Sequence, residues 1–481
     1  MPTTAEILRA TNPWWVDGSL TDDPHLKRFD ASPVRWDPPA LTVMPLTFGD
    51  THTLRGPRQV GKTTTLKRLI RQLVQRGETR VLYHAFDLTT DAREFVDIIR
   101  QAKTLHPAPE GPWYLFLDEV AAVPDWQVGV KVAWDSGLTA DDAIVLTASS
   151  AHDLKRGSER LPGRRGNGRD YVQLPMSFRD FCHVAYNLRF PDEPLAVEEF
   201  LTPRGQKIAT RLMAFATELQ CAFDAYVRVG GFPVAVRDHR QRAHDGVAPA
   251  TIEKLWNIVA GDVAKTHRNQ LAALKLLQTV GASLGSPLSW LTAARGMGVE
   301  KPDTAKQYAE LLAETFVLLT VYFWDPQKRS LEPNKQRKVY WSDPIIGQMP
   351  AVLIPGTARP SADGLVEGVV ASGLFRSAAQ TLIQANAVPG TVGYWRSGTD
   401  REIDFMIPRV TDLERERLPV EVKGDNTTGL AGARAAILRT YREGLVLSRT
   451  VFDWRSDIAT LPVWLLLAGV SEQPLRSEAL A

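Results

Sequence analysis

Few stretches constrain a fold as tightly as LRGPRQVGKTTTL, Leu54 to Leu66. Gly56 and Gly61 bracket four residues, and Lys62 and Thr63 follow directly. Glycines at this spacing let the backbone curl so that successive N–H groups face phosphate oxygens, and a helix beginning near Lys62 adds its positive end. The chemistry assigns Gly56, Pro57, Arg58, Gln59, Val60, Gly61, Lys62, Thr63 and Thr64 to a bound nucleotide. Lys62 would reach the β- and γ-phosphates and Thr63 would ligate Mg²⁺, which makes ATP and Mg²⁺ the expected cofactors. Such a loop requires a strand before it and a helix after it. THTLRG is strand-like, and KTTTLKRLIRQLVQRG has helical apolar spacing with Gly77 as a stop.

Further strand-like runs alternate with amphipathic stretches: RVLYHAFDL, WYLFLDE, AIVLTASS and DYVQLPMS. Alternation of this kind predicts a parallel sheet covered on both faces. WYLFLDE ends in Asp118 and Glu119, as a buried strand should when it delivers a metal ligand and a water-activating base to its tip. A helix cap after a core strand is the plainer alternative for that pair. IVLTASS offers Ser149, or Ser150, to orient the attacking water, although it also reads as an ordinary polar strand end. Between Lys155 and Arg169 lie six basic residues against one acid. Such a run is usually a solvated loop. Its place before the last core strand is where a ring-forming ATPase would put an arginine reaching the neighbour's nucleotide, with Arg164 first and Arg165 next.

Composition narrows the class. With 481 residues, 44% hydrophobic and 23% charged, the chain has room for several cores and the balance of a soluble protein. A net charge of +2 decides nothing about nucleic acid, because clustering matters more than the total. Cys182 and Cys221 form no ligand pattern and suit a reducing compartment. The start MPTTAEILRATNPWW lacks a signal-peptide pattern, and LPVWLLLAGV is too short to span a bilayer, so a cytoplasmic protein with no membrane partner is expected.

The strings GPRQVGKTTTL, LFLDEV…VPDW, TASSAHDL, LPGRR, LPMSFRDF and VRVGGFPVAV resemble a family of prokaryotic AAA ATPases whose members carry a carboxy-terminal domain of unknown function. The likeness runs in order from about Asn12 to Arg449. It implies that GGFP, Gly230 to Pro233, opens a lid and packs on the adenine side, which adds Gly231 and Pro233 to the nucleotide site. Read from residues alone, the same string is a turn that breaks a helix. Where relatives have TGSS, this chain has Ala148.

Two later constellations remain. From LKLLQTVGASLG to LLTVYFW the pattern is helix, short helix, turn, helix, strand, as in a winged helix. Leu288, Leu291, Ala294 and Val299 would pack its first helix, and the second would expose Lys306 and Gln307 to DNA. DPQKRSLEPNKQRKVYW would be a basic wing tracking a phosphate backbone through Lys335, Arg337 and Lys338, or else a solvated hairpin. Then YWRSGTDREIDFMIPRV and LPVEVKG place Asp404 on one strand, and Glu421 and Lys423 two apart on the next. Acid followed by acid-x-lysine is the restriction-nuclease arrangement, in which Asp404 and Glu421 hold metal, Lys423 assists water, and Glu367 adds a carboxylate. A Glu–Lys salt bridge on a sheet face is the plainer reading.

The expected fold class is α/β. It comprises a lead-in (1–45), a P-loop AAA-type parallel-sheet core (46–190), a helical lid (191–265), a winged helix (266–350) and a restriction-nuclease-like α/β domain (351–481). The leading function is an ATP-driven protein that remodels or translocates on branched or forked DNA as a ring, hexameric by analogy. The alternatives are a nucleotide switch on a protein partner and an ATP-controlled Mg²⁺-dependent nuclease.

Overall fold

A computed structural model describes residues 3–106, 111–148, 161, 163–383, 392–397, 401–409 and 417–471. The chain forms two compact units, Met1–Leu174 and Pro175–Ala481.

The first unit is built on five strands: β1 (Thr51–Arg55), β2 (Val81–Ala85), β3 (Tyr114–Asp118), β4 (Ala143–Thr147) and β5 (Asp170–Val172). They pair in the order β2-β3-β4-β1-β5 with every pairing parallel, so the sheet expected from the alternating pattern is present. Period-two alternation explains the two cores. Leu82, Leu115, Leu117, Ile144 and Leu146 pack with Phe95, Ile99, Trp126 and Val130 from the helices Ala92–Leu105 and Trp126–Asp135. Val81, Tyr83, Phe116 and Val145 belong to the other cluster, with Leu66, Leu69 and Ile70 of the helix Lys62–Gln75.

The lead-in is more ordered than its Pro- and Trp-rich composition suggests. It holds helices at Thr4–Thr11 and Pro24–Asp30, the first with a capping box from Thr3 and Glu6. Between them, Asn12 accepts from the Tyr83 N–H at 2.7 Å and donates to its carbonyl at 2.9 Å, as a neighbouring strand would. The indoles of Trp14 and Trp15 both donate to the Val81 carbonyl, at 2.9 and 2.8 Å. β2 ends the sheet, and these bonds cover an edge that would otherwise be open to pairing.

In the second unit, helices occupy most of Phe178–Glu314 and lead into a seven-stranded sheet. Its strands are β6 (Leu318–Asp325), β7 (Ser330–Trp341), β8 (Gly393–Arg396), β9 (Glu402–Pro408), β10 (Arg417–Val422), β11 (Gly444–Ser448) and β12 (Ile458–Pro462), ordered β12-β11-β10-β9-β8-β6-β7. Here the expected wing is corrected. β6 and β7 do form a hairpin, but β6 also pairs with β8, so the hairpin is the end of the larger sheet. Leu291, expected to face inward, is 49% exposed, because the helix Trp290–Met297 buries Ala293, Ala294 and Met297 instead. No helix among the described residues is long and apolar enough to cross a membrane.

Candidate functional site

The glycine loop runs from the end of β1 to the first turn of Lys62–Gln75. Gly61 takes a left-handed conformation, φ 92°, at the helix N-cap, where no side chain caps the helix. At Gly56, φ is 151° and a Cβ would stand 2.0 Å from the Gln173 carbonyl oxygen. Glycine is therefore required at both positions by backbone angle, and at Gly56 by space as well. Gln173 holds the loop from the far side: its amide donates to the Val60 carbonyl at 2.7 Å and its oxygen accepts from Thr65 at 2.9 Å. Sequence reasoning missed Gln173, whose only signal was its position just beyond β5.

Lys62 folds back over the loop and donates to the carbonyls of Gly56 and Pro57, at 2.9 and 3.0 Å. Thr63 donates to the Asp118 carboxylate at 2.7 Å. Asp118 ends β3, only 2% exposed, and accepts two further hydroxyls, from Tyr83 at 3.1 Å and from Thr147 at the tip of β4. The Glu119 N–H donates to Thr147 at 3.3 Å, and φ of 55° at Glu119 turns the chain off the strand. Thr147 thus ties both acids of WYLFLDE to the neighbouring strand. Ser149 and Ser150, expected in a related role, lie outside the described residues. Within the loop, Pro57 and Val60 are buried, Arg58 and Thr64 half-buried, and Gln59 exposed with φ of 65°.

The residues fit a nucleotide and its magnesium. An uncapped helix start and an ammonium beside the glycine loop match polyphosphate. A hydroxyl and a carboxylate 2.7 Å apart are the hard oxygen donors Mg²⁺ prefers. Arg164 grips Asp135 through two bonds, at 2.7 and 3.2 Å, and this pairing raises its pKa above the ordinary value. Arg165 donates to Asp170 at 2.8 Å and ties its loop to β5.

Gly231 and Pro233 belong to the second unit. The Gly231 N–H donates to the buried Asp343 carboxylate at 2.8 Å, and its carbonyl accepts from Met176 N–H at 2.8 Å. A Cβ there would lie 2.0 Å from the Met176 carbonyl, so this glycine is required by packing. Pro233 starts the helix Pro233–Gln241, where its missing N–H costs nothing.

The carboxy-terminal residues do converge. Glu421 accepts from the Asp404 N–H at 3.0 Å, Asp404 accepts from the Val422 N–H at 2.9 Å, and Lys423 lies 2.6 Å from Glu421. Glu367 joins them from the helix Ala362–Ile383 through a cation the sequence reading placed elsewhere. Lys338, expected on a DNA-tracking wing, is fully buried, with its ammonium 2.5 Å from Glu402, 2.9 Å from Asp404 and 3.2 Å from Glu367. Burial opposes its charge, yet Tyr340 and these carboxylates hold it well above the ordinary lysine value. Burial, then the Asp404 charge, pushes Glu421 up to about 8 and also raises Glu367. The metal reading of Asp404 and Glu421 meets a different geometry: Asp404 is paired with the Lys338 ammonium and Glu421 with that of Lys423. No group of three or more His, Cys, Asp or Glu among the described residues is arranged to hold a metal ion.

Arg337 is likewise withdrawn from any DNA face, only 4% exposed with its guanidinium 4.4 Å from the Trp290 ring centroid. Lys335 is exposed, 3.8 Å from the Phe323 ring. Lys306 and Gln307 are exposed on the helix Pro302–Glu314, Lys306 3.8 Å from Glu310.

Comparison with known proteins agrees with the geometry of the first unit. Residues 50–182 match the model of an AAA domain, and residues 220–352 match that of a domain of unknown function, DUF8612. No curated protein sequence matches the chain. Similar solved structures include a Walker-type ATPase of Pyrococcus abyssi, at 13% identity over 68% of this chain and 93% of that one, TM-score 0.36. The ORC2 protein of Aeropyrum pernix gives 12%, 65%, 88% and 0.33, and a RuvB variant of Thermotoga maritima 17%, 56%, 81% and 0.25. Residues 50–182 of the chain thus carry a P-loop AAA-type ATPase domain.

Proposed function

We propose that this chain hydrolyses ATP and uses turnover to act on DNA as a ring oligomer. The observation that carries the hydrolytic part is the bond from Thr63 at the loop to Asp118 at the tip of β3, with Glu119 next in the chain. In this reading Lys62 leaves its two carbonyl partners for the β- and γ-phosphates, and Glu119 takes the proton of the attacking water. Thr63 and Asp118 would hold Mg²⁺, which supplies charge neutralisation on the phosphates. Arg164 would leave Asp135 to reach a neighbour's nucleotide. Residues 191–265 would serve as lid. The DNA part rests on the exposed Lys306, Gln307 and Lys335. The test is steady-state ATP turnover alone and with single-stranded, duplex and branched DNA, with Lys62→Ala as control. Marked stimulation by one form is expected, with turnover lost in the variant. Indifference to every DNA, with no binding at low salt, would sink the DNA part.

A second reading, a nucleotide switch on a protein partner, is favoured by a specific observation. Leu271 and Leu291, in the helical segment before the hairpin, are 55% and 49% exposed, while Arg337 and Lys338 are buried. Retained ADP and DNA-independent turnover would support it. The narrower nuclease reading draws on the convergence of Glu367, Asp404, Glu421 and Lys423. It predicts Mg²⁺-dependent cutting that Asp404→Ala and Lys423→Ala each abolish while ATP turnover survives. Cutting that persists in both variants would exclude it.

A further inference from the structure

One buried chain of contacts leads from the lead-in to the ATP site. Asp23 caps the helix Pro24–Asp30, accepting from the N–H groups of His25 and Leu26 at 2.9 and 3.0 Å. Its other oxygen lies 3.0 Å from the Lys67 ammonium, and both side chains are 3% exposed. A buried ion pair is costly unless its remaining donors find partners. Lys67 also donates to the Thr11 carbonyl at 3.3 Å, and its nitrogen stands 3.5 Å from the Tyr83 ring centroid and 5.3 Å from that of Trp14. The cation is thus held against the face of the tyrosine, an attraction that strengthens when water is excluded.

Strand register explains where the far end of that ring goes. Tyr83 on β2 pairs with Phe116 on β3, so Asp118, two residues further, lies on the same face as its diagonal neighbour. A tyrosine spans that diagonal. Its hydroxyl donates to the Asp118 oxygen that also receives Thr63, while Thr147 occupies the other oxygen. Both the Asn12 and the paired tryptophan bonds hold the lead-in to the same strand.

We propose that Tyr83 is a positioning residue for Asp118, held in place by the Asp23–Lys67 pair, so that the lead-in is a working part of the nucleotide site. The proposal rests on the nucleotide–magnesium reading above. Partners that orient a metal-binding group typically change metal affinity by about 10–100-fold when removed. A residue that merely packs would instead alter binding with and without metal alike.

The experiment titrates the full-length chain with fluorescent mant-ADP, once in EDTA and once in Mg²⁺, alongside a thermal melt. Tyr83→Phe keeps the ring under Lys67 and removes only the hydroxyl. It should bind mant-ADP as the wild type does in EDTA, while the tightening that Mg²⁺ confers falls by about tenfold. Where that variant melts early, Asp23→Asn combined with Lys67→Met removes both charges of the clamp and should reduce the Mg²⁺-dependent tightening in the same direction. Binding equal to wild type in both buffers, or weakened equally in both, would overturn the role of Tyr83. Wild-type binding that is no tighter in Mg²⁺ than in EDTA would overturn the nucleotide–magnesium reading itself, and the proposal with it.

Discussion

At the scale of single residues, the chain handles buried carboxylates in three ways. Asp118 is surrounded by hydroxyl donors from Thr63, Tyr83 and Thr147. The acids Glu367, Glu402 and Asp404 share one internal ammonium, Lys338. Asp343 accepts from two backbone donors, the N–H groups of Gly231 at 2.8 Å and Ile345 at 3.1 Å. Burial dominates there and lifts its carboxyl from 3.8 to about 6, although those bonds and the Arg376 charge pull the other way. The sign follows from proton uptake. The native carboxyl binds a proton where the unfolded one has lost it, so its contribution to stability is full below about pH 3.8 and is lost as pH rises through about 6. At about 1.4 kcal/mol per unit, the effect is on the order of 3 kcal/mol. Urea unfolding followed at pH 4.5 and 7 should show the wild type losing stability relative to Asp343→Asn over that window. A difference independent of pH would refute the assignment.

At the scale of elements, much was legible. The five strands of the first unit, the loop between β1 and Lys62–Gln75, and the carboxy-terminal strands β9 and β10 follow from apolar period and from glycine placement. β12 was missed, because IATLP runs directly into the apolar helix Val463–Gly469 and shows no boundary of its own. The hairpin of β6 and β7 was legible as a hairpin. Its partner was not, since pairing β6 with β8 joins Tyr322 to Gly393 across a long stretch of chain. Lys338 shows the consequence. Its strand reads as basic, but the last five residues of β7, from Arg337 to Trp341, are all buried, which turns a presumed phosphate contact into an interior counter-ion. GGFP likewise reads as a turn, yet only Met176 and Asp343 reveal why Gly231 cannot carry a side chain.

At the scale of the whole molecule, the ATPase unit and the larger second unit each have a sheet of their own, and the proposed ring would complete the nucleotide site between copies. Arg164 supplies the test. It is engaged with Asp135 of the same chain, an exposed pairing that competes little with a stronger partner. Arg164→Ala should therefore bind nucleotide normally and lose turnover. Mixing it with Lys62→Ala subunits should restore turnover at those interfaces where an intact loop meets an intact arginine. Mixtures no more active than the two variants alone would argue against action in trans. By itself the sequence determined the phosphate loop, the acid-tipped strand and the alternation that makes a parallel sheet, because each depends on neighbours within a few residues. Only the tertiary structure decided that Gln173 braces the loop, that Tyr83 reaches Asp118, and that Lys338 lies among acids rather than at a surface. Those contacts depend on strand order and register, and a period of two leaves both open until the chain is packed.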